Sequence, residues 1–147
     1  MAIEREASAT WEGDLKGGTG EFDLESSGAI SDEEVTFASR FEQESGGKTS
    51  PEELIAAAHA TCFSMALANG LAQDGHAPKK LDTDAKVTLD NTDGGFTITK
   101  IHLSVRGQVE GLDETSFRAA AEQARENCPV SKALAAVPEI TLDASLA

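Results

Sequence analysis

Residues 49–67, TSPEELIAAAHATCFSMAL, carry a strong helix start. Ser50 stands as N-cap, Pro51 takes the first helical position, and Glu53 at the third completes a capping box. From residue 54 to residue 72 there is almost no charge, and Ala and Ser occupy several faces. Such a helix, expected to stop near Gly75, should be enclosed on nearly all sides and form the core of the molecule. His59 and Cys62 stand one turn apart in its middle, where Leu or Ala would pack without chemical risk.

Outward from this helix the pattern changes period. Upstream, Ala7, Ala9 and Trp11 alternate, KGGTG turns the chain, Phe22 and Leu24 alternate again, and Val35, Phe37 and Phe41 share a third face. This predicts an antiparallel meander of short strands, followed by EQESGGKTS as an exposed connection. Downstream, AKVTLD and GFTITKIHLSVRGQV predict a hairpin closed around NTDGG. Phe96 and Ile98 hold one phase and Ile101, Leu103 and Val105 the other, so a bulge is expected near Thr99 and Lys100. Asp113 should cap an amphipathic helix with Phe117, Ala121 and Ala124 on one face. CPVSKAL then starts a short helix with Pro129 first, and EITLDASL reads as a closing strand. The class is α+β, and 147 residues suit one domain, 1–147.

With 26 acidic against 12 basic residues, the net charge of −14 repels phosphate backbones and anionic leaflets, so neither nucleic acid nor a membrane is an expected partner. The N-terminal residues MAIEREASATWEG lack an apolar leader core, and no later segment is read as long enough to span a bilayer, which together suggest a cytoplasmic protein. Cys62 and Cys128 are too far apart for a CxxC motif or a paired zinc-ligand spacing.

A buried cysteine most often packs as a small hydrophobe, and a helical histidine is most often a bonded core residue. For Cys62 to act as a nucleophile it must be a thiolate, which burial opposes. Cys62 lies about three turns into its helix, beyond the reach of the dipole, so a cation must compensate. Arginine keeps its charge when enclosed. Arg40, expected at the end of the third strand and pointing away from the Phe37 and Phe41 face, is the candidate; an exposed strand-end charge is the alternative. Glu52, left free by Glu53, can hold that guanidinium in a bidentate pair, or simply favour the helix N-terminus. Ten residues separate Glu52 from Cys62, roughly 15 Å along one helix. If Arg40 serves both, it and Glu52 must come from a second subunit whose central helix crosses the first, which predicts a homodimer. Cys128 opens a helix where amide dipoles favour a thiolate; it is either a resolving thiol or a capping and packing residue.

RFEQESGGKTSPEELIAAAHATCFSMAL, the earlier WEGDLKGGTG and the later CPVSKAL followed by EITLD resemble the OsmC/Ohr family of thiol-dependent organic hydroperoxide reductases, and its OsmC branch more than its Ohr branch. The likeness covers nearly the whole chain. It implies an intertwined α+β homodimer, with two central buried helices wrapped by antiparallel sheets and sites at the interface. It also implies Cys62 as peroxidatic cysteine, Cys128 as resolving cysteine, Arg40 as the thiolate activator and Glu52 as its holder. The expected partners are an organic hydroperoxide, a dithiol reductant of lipoyl type, and a second copy of the chain. No cofactor or metal is expected. Competing readings are a non-catalytic redox sensor or stress-response binding protein, a metal site built from His59, Cys62 and Cys128 with His76 or His102, and a Cys and His hydrolase.

Overall fold

Alternation and glycine turns upstream of the long helix produce the expected meander. In the computed structural model, which describes all 147 residues, β1 (Ser8–Glu12), β2 (Thr19–Asp23) and β3 (Glu33–Thr36) form an antiparallel sheet in that order. Trp11 pairs with Gly20 and Gly20 with Val35 across it. This sheet belongs to the first of two units, Met1–Leu54; the second is Ile55–Ala147.

The third strand ends earlier than the alternation predicts. Phe37–Phe41 is a short helix, α1, because Thr36 and Ser39 cap it reciprocally: the Thr36 hydroxyl accepts from the Ser39 N–H at 3.2 Å and Ser39 Oγ from the Thr36 N–H at 3.0 Å. A spacing of four fits both periods, so Phe37 and Phe41 share a face either way, with ring centroids 4.9 Å apart. Arg40 therefore stands on a helix, and its guanidinium lies 5.0 Å over the Phe41 ring rather than pointing away from it.

The long helix, α2, is Pro51–Gln73. Ser50 accepts from the Glu53 N–H at 3.2 Å, but the Glu53 carboxylate takes the Thr49 hydroxyl at 2.7 Å, so only half of the predicted capping box forms. At its end the Gly75 N–H donates to the Ala72 carbonyl and the His76 N–H to the Leu71 carbonyl, with Gly75 at φ +85°. That is a Schellman motif, and its left-handed residue is the predicted glycine.

β4 (Lys80–Thr92) and β5 (Gly95–Gln108) form the expected hairpin. Its register shifts between Thr88, opposite Lys100, and Leu89, opposite Ile98, which leaves Thr99 as the bulge. The chain then passes through α3 (Glu114–Asn127) and α4 (Pro129–Ala133) and returns as β6 (Glu139–Leu146), parallel to β5. The second sheet is thus mixed, where antiparallel sheets were expected. Asp113 caps α3 by accepting from the Ser116 N–H at 2.8 Å, and Phe117, Ala121 and Ala124 are its buried face.

Phe63, Leu67 and Leu71 of α2 pack with Leu103, Val105, Phe117, Ala121 and Cys128 in one apolar cluster. Spaced at i, i+4 and i+8, the three α2 residues form a single stripe. On the opposite side Ala58, Thr61, Met65, Asn69 and Ala72 are exposed, Met65 to 69%. Enclosure on nearly all sides is therefore not met within one chain. Nor is the expectation that no segment has membrane-spanning length: α2, at 23 residues, is long and apolar enough, but its apolar stripe is used as a core helix uses it.

Candidate active site

α2 and the α3–α4 junction bring together two residues 66 positions apart. Cys62 is half-buried on α2, and Cys128 is fully buried between α3 and α4; both are free thiols. Burial pushes the Cys62 thiol above its ordinary value, the Val130 backbone N–H beside it pulls the other way, and the facing Cys128 thiol adds to the rise. The Val130 N–H at the start of α4 thus favours the Cys62 thiolate. Cys128 itself makes no side-chain cap bond.

His59 is completely buried one turn before Cys62, with Nε2 2.7 Å from Ser131 Oγ on α4. Its Nδ1 is buried without a partner, and burial lowers its pKa, so the ring is neutral at neutral pH. His59, Cys62 and Cys128 do not converge as metal ligands; no group of three such side chains does. Ser131 and the Val130 amide are the two contributors that sequence reasoning missed. The run CPVSKAL gives no sign that its serine reaches across to a histidine 72 residues away.

In the first unit, Arg40 and Glu52 are paired as predicted, although not as a bidentate fork. Arg40 Nε and Nη2 both donate to Glu52 Oε1, at 3.2 and 3.0 Å, and Oε2 is buried with no partner. Arg40 keeps a partly exposed side chain while Glu52 is buried. Close to Cys62 along α2, Phe63 is in the core, whereas Met65 is exposed.

A thiol on a core helix, faced by a second thiol from a later helix of a mixed α+β fold, defines the class of two-cysteine thiol proteins. The OsmC family model, described as OsmC-like protein, matches residues 44–143, and the chain belongs to the OsmC family. It is 47% identical over 146 residues to the Peroxiredoxin OsmC of Escherichia coli K12, covering 99% of both chains. To the organic hydroperoxide resistance protein of Xanthomonas axonopodis pv. citri it is 33% identical over 98 residues, 66% of this chain and 67% of that one. Among solved structures, an organic hydroperoxide resistance protein OsmC from Legionella pneumophila superposes with a TM-score of 0.69 at 25% identity over 99% of each chain. An organic hydroperoxide resistance protein from Elizabethkingia anophelis shares the fold, with a TM-score of 0.76 at 24% identity over the whole of both chains.

Proposed function

We propose that this chain is a peroxiredoxin-like enzyme that reduces organic hydroperoxides to alcohols with electrons from a dithiol. The observation that carries the reading is the pairing of Cys62 with Cys128, two free thiols from distant parts of the chain that face each other where half-buried Cys62 packs against the apolar core. The names of the peroxiredoxin and hydroperoxide-resistance relatives support the same chemistry.

In the proposed cycle the Cys62 thiolate attacks a peroxide oxygen and the O–O bond breaks. The alkoxide leaves as alcohol after taking a proton, and Cys62 becomes a sulfenic acid. Cys128 attacks that sulfur, water departs, and a disulfide forms; an external dithiol, of lipoyl type or similar, then reduces it. The Val130 N–H favours the thiolate, but burial opposes it, so a further cation is required. Arg40, aimed by Glu52, fills that role in our reading, lent by a second subunit because ten residues of one helix separate Glu52 from Cys62. The exposed stripe of α2 around Met65, built mostly of small residues, is the surface we propose for a homodimer. A cytoplasmic location is part of the same proposal, and the net charge of −14 supports a reading without nucleic-acid or anionic-membrane partners.

The test is turnover of cumene hydroperoxide with a dithiol. Cys62→Ser should abolish it; activity surviving that change would sink the proposal. Cys128→Ser should keep the first oxidation, trap a sulfenic acid and lose turnover with the dithiol. Alkyl hydroperoxides should react faster than hydrogen peroxide, since an alkyl group gains from burial beside the core. A protein that oxidises once and is not recycled by any dithiol would instead be a redox sensor.

A further inference from the structure

The thiol pair has a polar counterpart one turn away. His59 and Cys62 are three apart on α2, and Cys128 and Ser131 are three apart at the start of α4. His59 meets Ser131 where Cys62 meets Cys128, so the two segments lie alongside in opposite directions with contacts in step. His59 is 0% and Ser131 8% exposed, which makes their 2.7 Å bond an interior one, directional and unscreened by water.

Packing alone does not explain a histidine here. An alkyl side chain would fill the space without leaving Nδ1 buried and unpaired. What the pair supplies is placement. α4 has five residues, too few to hold its own shape, and Cys128, its N-cap, makes no side-chain cap bond. Disulfide formation nevertheless demands Cα atoms within about 4.4–6.8 Å and a narrow dihedral range.

On the two-thiol peroxidase reading above, we infer that the His59–Ser131 bond is a positioning latch that holds Cys128 against Cys62 and sets how fast the sulfenic acid is resolved. Two reactions compete for that acid. In one, Cys128 attacks the Cys62 sulfur, a disulfide forms and water leaves. In the other, a second hydroperoxide transfers an oxygen to give sulfinic acid and another alcohol, and the subunit is lost to the cycle. The latch favours the first, and acts through Cys128 without touching peroxide.

The experiment uses the reduced full-length chain, mixed with excess cumene hydroperoxide and acid-quenched at intervals. Mass spectrometry then counts sulfenic acid (trapped with dimedone), disulfide and sulfinic acid. Ser131→Ala should leave the rate of Cys62 oxidation unchanged, slow disulfide formation by about tenfold and raise the sulfinic fraction. Ser131→Thr, which keeps the hydroxyl, should restore the wild-type partition. His59→Leu removes the bond from the other helix and should reproduce the alanine pattern; it carries the test by itself if Ser131→Ala does not fold. Wild-type disulfide formation together with wild-type resolution in His59→Leu or Ser131→Ala overturns the latch alone. A wild-type protein that forms no disulfide at all overturns the two-thiol reading and the latch with it.

Discussion

His59 shows how a single buried side chain writes itself into the pH dependence of the fold. Burial depresses its pKa below the ordinary value of 6.5. Above 6.5 the ring is neutral in both folded and unfolded chains, and its contribution to stability is fully present. As the pH falls through that value the unfolded chain takes up a proton that the folded chain refuses. Stability is lost until the folded-state pKa is reached. Wild type should therefore lose more of its urea midpoint on acidification below 6.5 than His59→Leu does; parallel losses would show that the imidazole is not held neutral. At this scale the sequence was legible for the chemistry of the side chains and blind to their partners. The chemistry of a thiolate asks for a cation and for a second thiol, and that request, with the family likeness, selects Arg40, Glu52, Cys62 and Cys128. No local pattern points from His59 to Ser131, because that contact exists only once α4 has docked on α2. The single-oxygen grip of Arg40 on Glu52 was also out of reach, since it depends on the angle at which α1 presents the guanidinium.

Elements were read best where a residue has only one conformational use. Pro51 and Ser50 open α2, Gly75 closes it, and Asp113 opens α3, each through backbone groups that need a partner or a left-handed residue. Phe37–Phe41 misled because a four-residue spacing satisfies two periods at once; the arbiter was the Thr36–Ser39 box. Close approach between elements is the least legible feature of all. Gly107 on β5 reads as an ordinary weak spot in a strand, yet a Cβ there would sit 2.6 Å from the Phe117 ring of α3. Phe117 is fully buried and cannot swing aside. Gly107→Ala should accordingly destabilise the chain by about 1–3 kcal/mol through overpacking. Chemical denaturation measures this, and a neutral result would mean that α3 rides over the sheet more loosely than the packing indicates.

For the molecule as a whole, two facts ask for a second copy: α2 covers only one of its faces, and burial raises the Cys62 pKa when the proposed mechanism needs it lowered. A central helix crossed by its own twin would cover the Met65 stripe and bring in a foreign Arg40 in one move, because a two-fold contact makes every gift reciprocal. That reciprocity gives a sharp test. Arg40→Ala and Cys62→Ser homodimers should each be inactive, the first for want of an activated thiolate and the second for want of sulfur. Unfolded, mixed and refolded together, they should form heterodimers in which one site takes Cys62 from the Arg40→Ala chain and Arg40 from the Cys62→Ser chain. Both groups are then native. The other site lacks both. With equal mixing about half the dimers are mixed, each with one working site of two, so roughly a quarter of wild-type peroxidase activity should return. If each site draws all its residues from one chain, two inactive parents can yield nothing, and an inert mixture would show that Arg40 serves its own subunit.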